Sequence, residues 1–180
     1  IYIILKNLDQ GRLGNLISYF EIFLKKTSKC LLIGGAHTAN HRWVICSALA
    51  RINSLFPSPA LIERIDEWLK EGIDLDPDGQ FTERSVGSYS PVCDEMFITM
   101  GRLMNRNDLL DVARKNLDMT LYYIQPGGEV LTDASGRQDS SNIKYISEYY
   151  YSYLYLYHKD NNPVYADVCN FIEKNLTDKL

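Results

Sequence analysis

A loop in this chain is repeated. Asp78-Gly79-Gln80-Phe81-Thr82-Glu83-Arg84-Ser85-Val86-Gly87 aligns with Gly127-Gly128-Glu129-Val130-Leu131-Thr132-Asp133-Ala134-Ser135-Gly136, 49 residues further on. Each copy follows an amphipathic helical stretch. A repeat of this length is one supersecondary unit that cannot bury its apolar face alone, so neighbouring units must stack. The period fits two helices plus one decorated loop. Units stacked in order bring their loops to one rim, a place to bind something long and polar. Asn40-His41 stands before a helix of the preceding unit and is expected to join that rim.

Hydrophobic periodicity fills in the units. Leu16, Ile17, Phe20, Phe23 and Leu24 recur at helical spacing over 16–26. The stretch 30–39 reads as non-helical, broken by Gly34-Gly35. A helix over 42–55 is apolar nearly all round, as expected of one buried in the wall of a bundle, with Asn40 as its N-cap. After Phe56-Pro57-Ser58-Pro59, a helix over 60–71 carries the stripe Leu61, Ile62, Ile65, Trp68, Leu69, and Gly72 stops it. Further helices are expected over 91–104, 109–124, 144–158 and 164–176. Loop centres Phe81-Thr82 and Val130-Leu131 suit small strand pairs. The expected class is all-α: antiparallel helical hairpins with short strand pairs in the decorated loops.

Composition narrows the functions. Of the 180 residues, 46% are hydrophobic and 23% charged, the usual globular balance and enough for one domain spanning 1–180. No run approaches the ~20 apolar residues of a membrane span. The start lacks an initiator Met and an intact signal peptide, so the chain reads as a piece of a longer protein. A net charge of −4 argues against a general nucleic-acid binder. It leaves room for an acidic ligand held by a local cluster such as Arg42, Arg84 and Arg137. Cys30, Cys46, Cys93 and Cys169 are widely spaced, form no CxxC or His/Cys group, and read as reduced thiols; no metal or cofactor is expected.

Three constellations carry polar chemistry. Asn40-His41 opens a helix, where backbone N–H groups favour negative charge; the amide suits a carboxylate and the imidazole suits proton transfer. Glu83-Arg84-Ser85-Val86-Gly87-Ser88-Tyr89 combines a close-approach backbone, a cation for a carboxylate and a phenol for acid or base work. Asp133-Ala134-Ser135-Gly136-Arg137-Gln138-Asp139, with Tyr145, has sugar-binding residue types. A run of tyrosines over 149–157 suits either sugar stacking or core packing with bonded hydroxyls.

Together, Asn40-His41 opening an inner helix, Asp76-Pro77-Asp78-Gly79-Gln80-Phe81-Thr82-Glu83, and Tyr89 make the stretch from about His37 to Asp139 resemble the α/α-toroid part of heparinase II/III-like and alginate-lyase-like polysaccharide lyases. The resemblance implies that the hairpins form part of an (α/α) toroid. It implies β-elimination on an acidic, uronic-acid-containing polysaccharide, in a periplasmic or secreted setting. Asn40 and His41 would neutralise the uronate carboxyl, and Tyr89, 49 residues after Asn40, would take part in proton transfer. His37, Arg42, Glu83, Arg84, Arg137 and Gln138 would contact substrate. Family members carry a longer toroid and a following β-sandwich that contributes a further His or Tyr, so a C-terminal domain of the same protein is an expected partner. Two other readings stand beside it. One is a helical-barrel glycoside hydrolase using two of Asp78, Glu83, Asp133 and Asp139. The other is a non-catalytic helical-repeat module that binds glycan or protein.

Overall fold

A computed structural model describes residues 1–8 and 10–177, with side chains described for 1–8 and 13–175. Among the described residues there are eight α-helices and one two-stranded sheet. The helices are α1 (Tyr2–Asn7), α2 (Gln10–Ile33), α3 (Ala39–Leu55), α4 (Pro59–Lys70), α5 (Tyr89–Leu103), α6 (Asn107–Thr120), α7 (Tyr150–Asp160) and α8 (Pro163–Thr177). The strands β1 (Glu129–Val130) and β2 (Lys144–Tyr145) pair antiparallel, with Glu129 opposite Tyr145 and Val130 opposite Lys144.

Tight turns join α3 to α4, α5 to α6 and α7 to α8, and the two helices of each pair pack together as hairpins. Each turn has a local cause. Pro59 opens α4 at its first position, where a missing N–H costs nothing. Asn105 and Asn161 take left-handed backbone angles, which stop α5 and α7. Helices α3, α5 and α7 pack in sequence, α3 on α5 and α5 on α7, and one apolar core runs through the three hairpins. Its largest fully enclosed side chains include Trp43 of α3, Trp68 of α4, Phe97 of α5, and Tyr149 and Tyr153 at α7. In α4 the buried residues Leu61, Ile65 and Trp68 are spaced four and three apart, so one stripe faces the core. Each large side chain removed from water there contributes about 1.5–3 kcal/mol.

The two loops repeat at the level of individual hydrogen bonds. Gly79 N donates to Asp76 O (3.0 Å) and Gly128 N to Gln125 O (2.9 Å). Asp76 N donates to Gln80 O and Gln125 N to Glu129 O; Thr82 N donates to Asp74 O and Leu131 N to Tyr123 O. Leu75 bridges Phe81 as Ile124 bridges Val130, and both inward residues are buried. These are the small strand pairs expected at the loop centres. Gly79 and Gly128 sit at φ +96° and +83°, where a side chain is strained.

Several sequence expectations need adjusting. Residues 30–33 are helical, because α2 continues to Ile33 before Gly34-Gly35 ends it. The N-cap of α3 is Thr38, and Asn40 lies inside the first turn. The segment 144–149 is strand and then 3-10 turn, since its pairing with β1 holds it extended; α7 begins only at Tyr150. The tyrosine run packs the core: Tyr149 Oη donates to Val86 O, Tyr153 Oη to Leu117 O (2.8 Å) and Tyr165 Oη to Asp118 (2.8 Å). Burial pushes the phenols of Tyr149 and Tyr153 well above the usual tyrosine range, so they stay neutral. Cys46, Cys93 and Cys169 are buried thiols, and Cys30 is an exposed one. Burial pushes the Cys46 thiol up to about 12, which leaves it inert.

Candidate functional site

Residues from three separate segments meet where α3 and α5 begin. Asn40, in the first turn of α3, is 6% exposed, and its Nδ2 donates to Glu83 Oε1 at 3.0 Å. Glu83 belongs to the first decorated loop, and its side chain is 10% exposed. The same Oε1 lies 3.4 Å from an Arg137 guanidinium nitrogen, contributed by the second loop. Arg137 also stands over the ring of Tyr89, 5.6 Å from its centroid. Gln138 Nε2 donates to the Tyr89 hydroxyl. Asn40, Glu83, Arg137, Tyr89 and Gln138 thus form one connected polar group, although the chain between its first and last members is nearly a hundred residues long.

The repeat explains this meeting. Tyr89 and Gln138 occupy equivalent positions in the two copies, as do Val86 and Ser135, and both pairs are hydrogen-bonded, Val86 N donating to Ser135 Oγ at 3.1 Å. Stacked copies of one loop put like positions side by side. Asp139 is the buried pin of the joint. It is 2% exposed and accepts from Ser85 Oγ (3.0 Å), Gly87 N (2.9 Å) and Ser135 Oγ (3.2 Å). These three bonds lock the two loops together.

Glu83 is only partly satisfied. Its Oε2 is buried and has no hydrogen-bond partner. The opposite end of the group is open: the Arg137 side chain is 43% exposed. His41 is exposed beside Asn40, its Nδ1 2.6 Å from Thr38 Oγ1. Arg84 takes a left-handed backbone angle, φ +47°, and its carbonyl accepts from Gly136 N at 2.7 Å. Its side chain remains exposed at the loop edge.

Two of the expected substrate residues lie elsewhere. Arg42 is 2% exposed and occupied inside the protein. It pairs with Asp74 and with Glu71 (3.4 Å), donates to the carbonyls of Trp68 and Gly72, and lies against the Trp43 ring. Its task is to tie the end of α4 and the start of the first loop to α3. His37 donates its Nδ1 proton to the same Glu71 at 3.0 Å and rests edge-on against Trp68.

A buried carboxyl, Asp94 of α5, escaped the sequence reading. It is fully enclosed, neither of its oxygens has a hydrogen-bond partner, and burial raises its pKa well above the usual carboxylate range. Among the described residues, no group of His, Cys, Asp and Glu has the arrangement of a metal site. No helix of the described residues is long and apolar enough to cross a membrane.

Comparison with known proteins found no match among family models, curated proteins or solved structures.

Proposed function

We propose that this chain is the helical part of a polysaccharide lyase that cleaves uronic-acid-containing glycans by β-elimination, its hairpins forming an arc of an (α/α) toroid. The observation that carries the reading is the single polar group joining Asn40, Glu83, Arg137, Tyr89 and Gln138. Five of the residues that the lyase resemblance singles out belong to that group, Asn40 and Tyr89 among them.

The chemistry asks for two things. The C5 proton of a uronate is acidic only if the carboxylate beside it is neutralised, so that negative charge can spread onto it as the proton leaves. Asn40 supplies an amide donor, backed by the open N–H groups at the start of α3. Arg137 supplies a partly exposed positive charge. The C5 proton then passes to a base, its electrons form the C4–C5 double bond, the C4–O bond breaks, and the departing oxygen receives a proton. Tyr89 serves one of these transfers and exposed His41 the other. Gln138 holds the Tyr89 hydroxyl as an acceptor, which fixes the direction of its own proton.

A hydrolase would need two carboxyl groups facing one bond, roughly 5–10 Å apart. Of the four carboxylates considered, Asp139 is consumed by the loop joint, and Glu83 alone belongs to the polar group. This favours elimination over hydrolysis.

The test is a panel of uronic-acid polysaccharides followed by ultraviolet absorbance of unsaturated product. Wild-type protein should generate absorbance, and Asn40→Ala and Tyr89→Phe should each lose nearly all of it while keeping their fold. New reducing ends without absorbance would replace elimination with hydrolysis. Full activity in both variants would remove the site assignment.

A further inference from the structure

Strand β2 is built inside out. Its first residue Lys144 stands opposite Val130, and directly opposed residues of an antiparallel pair project to the same face. Val130 is 3% exposed and faces the core. Lys144 therefore turns inward, while its neighbours Ile143 and Tyr145 are 74% and 38% exposed. Ordinary patterning would put the lysine outside and the isoleucine inside. Departures of this kind are expected where function overrides packing.

The first loop is shaped to let this lysine through. Lys144 runs across Gly87, two residues before Tyr89. A Cβ at Gly87 would lie 2.4 Å from Lys144 Cγ and 2.7 Å from its Cβ, with Thr132 Cγ2 at 3.1 Å. Any residue but glycine would push the stem out. The lysine is half-buried, and no carboxylate among the described residues pairs with it. Asp139, the carboxylate bonded to the Gly87 amide, is already taken up by three donors. Water and stem packing can hold a lone ammonium at such a place, but nothing there requires a charge; leucine or methionine would pack over Gly87 with less desolvation.

We infer that Lys144 is an anion anchor of the rim, holding a carboxylate or sulfate of a bound acidic sugar beside the Tyr89 end of the site. The sugar as the source of the anion rests on the lyase reading; the anion site itself does not. Lysine suits this task as a compact point charge that reaches an oxyanion without needing a fixed geometry.

The test has two parts. Binding is measured calorimetrically in a Tyr89→Phe background, so that nothing is cleaved, using an unsulfated oligouronate, a sulfated neutral oligosaccharide and an uncharged oligosaccharide. Lys144→Met should weaken the acidic ligand about tenfold and flatten its salt dependence, Lys144→Arg should restore most of it, and the uncharged sugar should be unaffected. Whichever acidic ligand responds identifies carboxylate or sulfate as the group held. Equal binding by Lys144→Met, or equal loss for the uncharged sugar, overturns the inference. Independently, inorganic sulfate is titrated into protein carrying 13C-labelled lysine, with the Lys144 signal assigned from Lys144→Met. A saturable shift supports the anchor and a merely linear drift refutes it. If no glycan binds while sulfate saturates, the lyase reading falls and the anion site stands.

Discussion

The two loop copies share their backbone but not their surroundings, and one substitution made twice exposes the difference. Gly79 and Gly128 are equivalent residues at positive φ. Alanine at either must enter a left-handed conformation, which costs about 1–2 kcal/mol, offset by roughly 0.4–1 kcal/mol from the stiffer unfolded chain. At Gly128 little more is added, since the new Cβ would lie 3.5 Å from Asn175 Cγ, an ordinary contact. At Gly79 it would lie 2.4 Å from Lys115 O and 2.9 Å from Lys115 C, both backbone atoms of α6. The loop must lift away. In lifting it breaks the 2.8 Å bond from buried Asn116 Nδ2 to Gly79 O, leaving an amide whose Oδ1 is already unpartnered. Overpacking adds about 1–3 kcal/mol and the stranded amide about 1–3 kcal/mol. Gly79→Ala should therefore cost about 3–5 kcal/mol and Gly128→Ala about 1 kcal/mol or less. Urea denaturation measures both, and melting should fall by about 10 °C and 2–3 °C respectively. Equal losses, or a Gly79→Ala loss below about 1 kcal/mol, would refute the docking of the first loop on α6.

The buried acid and the loop joint give two further expectations. The folded protein keeps a proton on Asp94 that the unfolded chain releases, because burial raises the folded pKa above the ordinary value of 3.8. Stability should thus be highest at or below that value and fall with rising pH until the folded pKa is passed, by up to about 1.4 kcal/mol per pH unit. Thermal unfolding from pH 4 to 8 should show this component in wild type and lose it in Asp94→Asn; the same slope in both would rule it out. Asp139→Ala strands the buried Gly87 N–H and two serine hydroxyls, so it should cost about 3 kcal/mol or more and speed amide exchange in both loops together. Faster exchange in one loop alone would mean that Asp139 does not join them.

Much of the architecture is legible in the residues. Apolar spacing locates the hairpin helices, and the repeated Gly/Phe and Gly/Val turns announce one loop built twice, because period and turn chemistry are local properties of a chain. Helix boundaries are less legible. Nothing local says that α2 runs to Ile33, or that 144–149 forgoes helix to pair with β1, since both depend on contacts made by distant segments. The residue types of the candidate site could also be read, for Asn40, Glu83, Tyr89, Arg137 and Gln138 are all polar residues in loops or at helix starts. Their division of labour could not. Arg42 and Arg137 look alike as letters, yet one is spent on Asp74 and Glu71 inside the fold and the other is half-exposed beside Glu83. Asp139 reads as a candidate acid and is a structural pin; Asp94 draws no notice in the sequence and is sealed in the core. Lys144 stands at the start of an expected helix, and its inward turn follows only from its register against Val130. Local residue pattern was enough to locate the hairpin helices and to show that two loops are copies. Folding set which charges are paired, which are buried and which stay open to solvent, because an ion's partner and its exposure to water depend on segments that meet only after folding.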